Sequence, residues 1–248
     1  PDGKELAFIE DRNRLMVLNL ETKKVRQVTD GSPWFSTGGG FDYSWSPDGK
    51  WFTLEFIGNK HDPYSDIGLV SAQGNGEIIN LTNSGYSSGS PSFALDGNAI
   101  LFTTERYGMR AHASWGSLDD AMLVFLNQDA YDKFRLSKED YELQKELEKE
   151  QKKVAAKDSS KVKDVVVELK NIEDRIVRLT PNSSNMGSTL ISKDGKTLYY
   201  LASTESGRNL WKMDLNKKET KLLHKVDAGW TSLEMDKEGK TLFILNGK

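Results

Sequence analysis

The sequence contains no cysteine, so disulfide bonds and thiolate chemistry are excluded. It also has no excess of positive charge, because 34 Lys and Arg residues stand against 37 Asp and Glu residues. A basic face is therefore not indicated, which argues against a nucleic-acid partner. Long apolar runs are lacking too, since none approaches the roughly 18 residues of a membrane span. We expect neither nucleic-acid binding nor a membrane-spanning segment.

Motifs for catalysis and metal binding are equally scarce. The three histidines, His61, His112 and His224, are far apart in the sequence. The polar stretch 61–66 offers fewer converging ligands than zinc or calcium requires, so a loop is the simpler interpretation. Gly38–Gly40 lacks the Lys-Ser/Thr of a phosphate loop, and no Gly-x-Ser-x-Gly elbow occurs. We predict no cofactor, no metal and no catalytic residue in this chain.

What the sequence does contain is a repeat, and its clearest copy is Ser44–Leu54. This stretch consists of a short apolar strand, a Pro-Asp-Gly turn and a second apolar strand. Glycine accepts positive φ without a steric penalty and aspartate tolerates it, so the pattern indicates a hairpin. Related turns precede apolar runs at Asp2-Gly3, Asp96-Gly97, Asp194-Gly195 and Glu238-Gly239.

The spacing of the turn glycines predicts the architecture. Gly3 and Gly49 are about 46 residues apart and Gly49 and Gly97 about 48, which is the length of a four-stranded propeller blade. The step from Gly97 to Gly195 is about twice as long, which indicates one blade with an insertion. We therefore predict an all-β chain, a β-propeller with four-stranded antiparallel blades in an incomplete or open ring.

The pattern also predicts the limits of the blades, at about 1–31, 41–85, 89–182, 187–226 and 229–248. The first blade is expected to lack its first strand, and the last to contain only its first two. Both chain ends thus fall inside blades, so we expect a piece of a longer protein. The lack of a signal peptide then says nothing about localisation.

A charged helical insertion is predicted within the third blade, at 137–163. Ser137 is a suitable N-cap, and the following residues, to about Lys157, are rich in Glu, Lys, Gln and Leu. The apolar stripe of this helix is thin, so we expect a solvated helix that projects from the disc. The stripe consists of Tyr141, Leu143, Leu147 and Val154. After the helix, a strand is predicted again at Val165–Leu169.

The least ordinary stretch is the connection Glu105–Gly116, which is rich in Arg, aromatic and Gly residues. Such loops on a rigid scaffold often bind ligands. Arg106 and Arg110 could hold a peptide carboxylate through paired hydrogen bonds. We predict a binding site formed by these two residues together with His112 and Trp115.

A purely structural interpretation of the same loop stays open. Arg106 and Arg110 would then pair with Asp119 or Asp120, because surface loops usually satisfy their own polar groups. Trp115 would pack beneath the loop.

With these motifs in place, Ser44–Lys50 resembles the repeat of TolB-type and tricorn-type β-propellers. Further segments resemble the propeller of bacterial tricorn-like serine peptidases, and together they cover nearly the whole chain. The segments that carry this resemblance are Glu105–Arg110, Ser114–Gly116, Val124–Asn127, Phe134–Glu139 and Ile172–Leu179. Two repeats depart from the pattern: the third has Leu95 in place of proline, and the fifth has Lys237-Glu238-Gly239.

The resemblance implies a function as well as a fold. In such peptidases the propeller precedes a PDZ-like domain and a catalytic domain with its own serine, and neither is present in this sequence. It implies a non-catalytic module, periplasmic or secreted, that binds or gates peptide substrates or scaffolds assembly with the remaining domains of its parent chain. Two alternatives are a TolB-like propeller that docks a protein partner and the propeller of a prolyl-oligopeptidase-type hydrolase.

Overall fold

The structure, a computed structural model, describes residues 1–32, 34–35, 39–58, 62–74, 76–110, 116–154, 163–204, 207–226, 230–236 and 238–247. The described residues form five antiparallel sheets that follow one another along the chain. The first sheet contains β1 (Glu5–Glu10), β2 (Arg14–Asn19) and β3 (Val25–Gln27). The second contains β4 (Tyr43–Trp45), β5 (Trp51–Phe56), β6 (Asp66–Ser71) and β7 (Ile79–Asn80).

The remaining three sheets follow the same up-and-down order. The third contains β8 (Ser88–Ala94), β9 (Ala99–Thr104), β10 (Asp120–Phe125) and β11 (Ile176–Arg178). The fourth contains β12 (Asn185–Ile191), β13 (Thr197–Thr204), β14 (Gly207–Asp214) and β15 (Glu219–Val226). The last contains β16 (Trp230–Met235) and β17 (Leu242–Gly247). Two helices, α1 (Gln128–Arg135) and α2 (Lys138–Val154), lie between β10 and β11 in the described part of the chain.

Consecutive sheets pack face to face, and a separate hydrophobic cluster fills each of the four junctions. Strand β10 shows how alternation serves two junctions at once. Its Leu123 and Phe125 face the fourth sheet, whereas Met122 and Val124 face the second. Successive side chains of a strand point to opposite faces, so a buried strand between two neighbours is apolar on both. The stacked four-stranded sheets confirm the predicted all-β propeller with its helical insertion in the third blade.

The Asp-Gly turns are closed by the aspartate and by a serine two positions before it. In the second sheet, Asp48 Oδ1 accepts hydrogen bonds from Ser46 Oγ at 2.5 Å and from the Lys50 N–H at 3.1 Å. The Trp51 N–H donates to Ser46 Oγ at 2.9 Å, which starts the next strand. In the fourth sheet, Ser192 and Asp194 make the same contacts. Short polar side chains thus take the place of backbone partners in the bend.

The third turn differs, as its leucine suggested. Residues Leu95–Gly97 form a single 3-10 turn with φ of +52° at Leu95, +55° at Asp96 and +86° at Gly97. Three left-handed residues in a row cost steric energy unless the surroundings hold them in place. Here Leu95 is held because its side chain packs against the neighbouring turn.

Contacts of this kind recur at one face of the disc, which we call the turn face. The residue two positions before a turn glycine contacts the glycine of the following turn. A Cβ on Gly195 would lie 2.7 Å from Leu95 Cδ2, and a Cβ on Gly239 would lie 3.2 Å from Lys193 Cδ. Glycine is thus needed both for its positive φ and for the space it leaves. The four pairs are Pro1 with Gly49, Pro47 with Gly97, Leu95 with Gly195 and Lys193 with Gly239.

At the opposite face, which we call the loop face, a threonine joins the outermost strand of three sheets to the strand beside it. Its Oγ1 accepts a hydrogen bond from the backbone N–H of the second residue of that strand. These bonds run from Leu15 to Thr29 at 2.9 Å, from Ile67 to Thr82 at 3.1 Å and from Ala121 to Thr180 at 3.2 Å. They give a physical reason why each of these blades ends in an apolar residue followed by threonine. The three pairs are Val28-Thr29, Leu81-Thr82 and Leu179-Thr180.

In the second and third sheets the threonine also donates to a fully buried aspartate. Thr82 Oγ1 lies 2.7 Å from Asp66 Oδ1, and Thr180 Oγ1 lies 2.8 Å from Asp120 Oδ1. Asp120 accepts further hydrogen bonds from Arg178 Nε at 3.0 Å and from Ser183 Oγ at 2.7 Å. A buried carboxylate is tolerated only when its charge is paired and its oxygens are hydrogen-bonded, and this one meets both conditions.

The insertion begins with a helix that the sequence pattern did not reveal. Asn127 caps α1 by accepting a hydrogen bond from the Ala130 N–H at 2.9 Å, and Tyr131 and Phe134 pack on the buried Phe125. Ser137 caps α2 as predicted, since its Oγ accepts from the Asp140 N–H at 3.1 Å. Residues 155–162 of the predicted insertion lie outside the described residues.

Helix α2 is not a purely solvated projection. Its first turn touches the fourth sheet, where Glu142 forms an ion pair with Lys196 at 3.5 Å and Tyr141 lies under the same ammonium group. Leu143 and Leu147 are exposed, so the expected thin apolar stripe is solvated further along the helix.

The predicted strand at Val165–Leu169 is wrong. This segment is irregular and is fixed by hydrogen bonds to two sheets instead of a ladder. The Val165 N–H donates to Asp48 Oδ2 at 2.8 Å, and the Glu168 N–H donates to the Leu126 carbonyl at 2.7 Å. Val165 and Val167 are partly buried at the junction between the second and third sheets, whereas Val166 is exposed. This alternation explains the strand-like pattern of the sequence.

We predict that Gly195→Ala destabilises the fold more than Gly3→Ala. Both glycines have positive φ, +69° and +77°, but no atom lies within 4 Å of a Cβ built on Gly3. The conformational strain alone costs about 1 kcal/mol, and the collision with Leu95 should raise the loss for Gly195→Ala to about 3 kcal/mol. Urea unfolding followed by circular dichroism measures both values. Equal losses for the two variants would contradict the turn-to-turn contact.

We also predict that Thr180→Val costs more than Thr29→Val. The first substitution removes the acceptor for the Ala121 N–H and a donor to the buried Asp120, whereas the second removes only the acceptor for the Leu15 N–H. We expect losses in the free energy of unfolding of about 3 kcal/mol and about 1 kcal/mol respectively. If both variants unfold at the same urea concentration, the buried carboxylate does not depend on its threonine.

Candidate functional site

The first strands of the last four sheets surround a central groove of about 1180 Å³. Strands β4, β8, β12 and β16 each form one wall, and each is the edge strand of its sheet. Edge strands carry backbone N–H and C=O groups without a ladder partner on one side. An extended peptide can pair with such an edge, so the groove offers main-chain recognition independent of sequence.

Small side chains alternate with larger ones along the wall of the groove. Several wall residues carry hydroxyl groups, and some of these groups are already engaged. Ser188 Oγ accepts from the Leu233 N–H at 3.1 Å, and Ser90 Oγ donates to Asp42 Oδ2 at 3.2 Å. A Cβ built on Gly187, which also lines the groove, would be in ordinary contact with Leu201 Cβ at 3.5 Å and with Arg208 Cζ at 3.7 Å. The serines on the wall are Ser44, Ser90, Ser92, Ser188, Ser192 and Ser232.

Charged side chains lie at both ends of the groove. At the loop face the wall includes Asp42 and Arg208, and at the turn face it includes Asp96, Lys193 and Asp236. Arg208 Nη1 is 3.5 Å from Thr231 Oγ1, which directs the guanidinium along the wall of the last sheet. The loop-face mouth therefore presents a carboxylate on one side and a guanidinium on the other.

Beside Asp42, Glu55 crosses from the second sheet to the third. Its Oε1 accepts a hydrogen bond from the Ser90 N–H at 2.8 Å, and its Oε2 accepts from the Asp42 N–H at 3.3 Å. Glu55 has room only because position 89 is glycine, where a Cβ would overlap Oε1. Burial and then the nearby Asp42 carboxylate raise the pKa of Glu55 to about 7, against the opposing effect of the two N–H donors.

A second carboxylate with a raised pKa lies between the third and fourth sheets. Asp119 joins them through two backbone hydrogen bonds with Ser184, at 2.8 and 3.0 Å. Burial, followed by repulsion from Glu105 and Asp120, raises the pKa of Asp119 to about 6. Two sheet junctions at the loop face thus carry carboxyl groups that titrate near neutral pH.

The predicted binding loop also lies at the loop face, where β9 ends and β10 begins. Arg106 and Arg110 are both exposed. The guanidinium carbon of Arg106 lies 5.6 Å from the centre of the Tyr107 ring, and that of Arg110 lies 5.0 Å from the Tyr86 ring. Arg178 stacks on Tyr107 as well, at 4.9 Å. Cation–π stacking holds the guanidinium planes while their N–H groups remain available for a ligand.

Of the predicted binding residues, the structure describes Arg106 and Arg110, which belong to one loop, whereas His112 and Trp115 lie outside the described residues. The binding site formed by these four residues stays a prediction. The alternative was that Arg106 and Arg110 pair with Asp119 or Asp120. Among the described residues, the arginine that pairs with Asp120 is Arg178 instead. Sequence reasoning missed Glu55, although a charged residue inside the apolar run Trp51–Phe56 was a visible signal.

The fold and groove define the class of this chain as a β-propeller module. No model of a known protein family matches the sequence. One curated relative, the "Putative Tricorn-like protease C-terminal subunit" of Sulfurisphaera tokodaii, is 28% identical over 107 residues. That match covers 43% of this chain and 12% of the relative.

Solved structures show the same fold over nearly the whole chain. The tricorn protease matches with a TM-score of 0.63 at 12% identity, over 99% of this chain and 23% of that one. TolB from Acinetobacter baumannii matches with a TM-score of 0.55 at 18% identity, over 98% of this chain and 46% of that one. The chain therefore has the β-propeller fold that these two structures share with it. It spans less than half the length of each of these proteins.

Two further observations concern the described residues alone. Neither of their helices is long and apolar enough to cross a membrane. They also contain no group of three His, Cys, Asp or Glu side chains suited to hold a metal ion, and His61 of the polar stretch 61–66 is not among them.

We predict that Glu55 makes the stability of the fold depend on pH. Its pKa is higher in the folded chain, about 7, than the ordinary value of 4.5, so the folded state holds the proton more tightly. The free energy of unfolding should therefore fall as the pH rises from about 4.5 to about 7. Glu55→Gln should flatten this slope in urea unfolding between pH 4.5 and pH 8. The exposed control Glu21→Gln should leave the slope unchanged, and an unchanged slope in Glu55→Gln would contradict the assignment.

Proposed function

We propose that this chain is a non-catalytic propeller module of a periplasmic or secreted tricorn-like peptidase, and that it binds and guides peptide substrates. The central groove carries the proposal, because four edge strands present backbone groups to an extended chain. The likeness to a tricorn-like protease subunit supports the peptidase context. The partners would be the peptide and the other domains of the parent protein.

The connection Glu105–Gly116, which we call the Arg106 loop, would supply the first contact for such a peptide. Its two exposed guanidinium groups are stacked on Tyr107 and Tyr86, so little side-chain freedom is lost when a carboxylate binds. We infer that Arg106 and Arg110 attract the carboxylate of a peptide at the loop face. His112 and Trp115 belong to the same proposed site as flanking residues.

A TolB-like function, docking of a protein partner on the outside of the disc, is the second candidate. Its supporting observation is the outermost strand β15, which is eight residues long, whereas β3, β7 and β11 have two or three. Seven of its eight residues are exposed, Leu222 and Leu223 among them. Long exposed edges of this kind can pair with a partner strand.

We predict that a fluorescein-labelled decapeptide with a free C-terminus binds the chain in fluorescence anisotropy. The double variant Arg106→Gln/Arg110→Gln should bind it about tenfold more weakly, because paired guanidinium contacts to a carboxylate are lost. Amidation of the peptide C-terminus should weaken binding to the native chain by a similar factor. The control Arg12→Gln, which removes an exposed arginine from the first sheet, should bind like the native chain.

Two results would contradict this proposal. Equal binding by the native chain and the double variant would remove the Arg106 loop from the site. Hydrolysis of the peptide by the purified chain, followed by mass spectrometry, would show that the module is catalytic. Binding that is lost only when the β15 edge is altered, as in Leu222→Lys/Leu223→Lys, would favour the protein-docking function instead.

A further inference from the structure

The central groove is larger than a small ligand requires, and the wall formed by the third and fourth sheets is uncharged along β8 and β12. Its volume of about 1180 Å³ exceeds the roughly 300–1,000 Å³ of small-molecule pockets, so a peptide segment is the better match. Strands β8 and β12 contribute residues 90–95 and 186–192 to the wall, and neither stretch contains a charged residue. A charged group placed against this wall would lose hydration without gaining a partner.

Of the four edge strands around the groove, β12 is the one that suits main-chain pairing. Strand β4 has three residues, and β8 contains Pro91, which has no N–H, directly after the left-handed Ser90 with φ of +51°. The middle of β16 is already used, because the Leu233 N–H donates to Ser188 Oγ at 3.1 Å. Strand β12 has seven residues, contains no proline, and none of its residues is buried.

The backbone groups that β12 turns toward the groove belong to Thr189 and Ile191. The Ser192 N–H donates to the Thr197 carbonyl at 2.8 Å, across the ladder to β13. Hydrogen bonding alternates along an antiparallel ladder, so the N–H and C=O groups of Thr189 and Ile191 point away from β13. Among the described strands, none pairs with β12 on that side. Every residue of Met186–Lys193 lines the groove although side chains alternate between two faces, so the strand edge itself faces the groove.

Beside this edge, the junction between the third and fourth sheets opens into the groove as an apolar notch, which we call the inner notch. Ser92 lies opposite Leu101 in the ladder, and Ala94 follows on the same face of β8. Because Ser92 and Ala94 are small, the buried Leu101 reaches the wall of the groove. From the fourth sheet, Met186 and Ile191 are partly buried against the same cluster. These five residues form the inner notch, and four of them are apolar.

On the other face of β8, the chain fills the matching space with a side chain of its own. Phe93 points away from the inner notch and packs into the junction between the second and third sheets. A large ring thus occupies that junction at the groove, whereas a serine and an alanine stand at the inner notch. An apolar side chain that enters the notch from a ligand would be buried in the same way as Phe93, and burial of apolar surface favours binding.

We propose that the central groove selects an extended peptide that adds a strand to the edge of β12 and places one apolar side chain in the inner notch. Hydrogen bonds to the backbone of Thr189 and Ile191 would recognise the main chain of any peptide, and the notch would set the preference for an apolar residue. A charged residue at that position is disfavoured, because the notch offers it no partner. This inference rests on the peptide-binding function proposed above and names its substrate class.

The first test compares two fluorescein-labelled nonapeptides of Ser and Thr with a free C-terminus, one with a central leucine and one with a central serine. The native chain should bind the leucine peptide about tenfold more tightly in fluorescence anisotropy, because the notch buries the leucine side chain. Ser92→Phe places a ring in the notch and should bind both peptides equally. The control Ser32→Phe adds the same ring at an exposed residue that does not line the groove, and it should keep the preference.

The second test addresses main-chain pairing with two N-methylated forms of the leucine peptide, which carry methyl groups on alternate nitrogens in the two possible phases. A paired strand donates from every second N–H, so one phase should lose about tenfold in affinity and the other should bind like the parent peptide. In ¹H–¹⁵N correlation spectra, the leucine peptide should shift the amide signals of Thr189 and Ile191. Equal binding of the two phases, or shifts confined to β8 or β16, would overturn the pairing with β12.

The outcomes separate this inference from the function on which it rests. Equal binding of the leucine and serine peptides by the native chain, or a preference that persists in Ser92→Phe, would overturn the inner notch and leave peptide binding in place. Arg106→Gln/Arg110→Gln should weaken both peptides by the same factor, so its effect is distinct from that of the notch. If neither peptide binds the native chain, the proposed function and this inference both fail. The peptide comparisons on the native chain do not depend on the folding of any variant.

Discussion

The contact between successive Asp-Gly turns is the constraint on which the rest of this propeller depends. Each turn has a glycine with positive φ, and at Gly49, Gly97, Gly195 and Gly239 a side chain from the preceding turn lies beside the missing Cβ. The same glycine therefore closes its hairpin and makes room for the turn of the neighbouring sheet. Even the third turn keeps this contact, although Leu95 replaces proline and its backbone is left-handed.

The two faces of the disc consequently differ in their freedom to change. The turn face is filled by contacts between repeats, so its residues serve the fold. At the loop face the Thr–Asp hydrogen bonds anchor the strand ends, and the connections beyond them are free to carry ligand-binding groups. Arg178 links the two roles, because it neutralises the buried Asp120 and also stacks beneath Tyr107 of the Arg106 loop.

Local patterns in the sequence are enough to predict the fold, because Asp-Gly turns and the two-residue alternation of strands involve residues that are close together in the chain. The site was less accessible, because it depends on contacts between distant residues. Nothing near Arg110 in sequence indicates that Tyr86 lies beneath it, and the partner of Asp120 is 58 positions away. Helix α1 was missed because it has eight residues and starts directly after a strand. Val165–Leu169 alternates like a strand but lacks a neighbouring strand to pair with.

The hydrophobic clusters have a consequence for how the molecule opens. Each one is shared by two adjacent sheets only, so cohesion passes from neighbour to neighbour as in a one-dimensional array. Among the residues that the structure describes, the junction between the fourth and last sheets has four buried members, fewer than each other junction, so we expect the weakest cohesion there. Loosening should begin there and travel inward, with amide protons of β16 and β17 exchanging before those of β10.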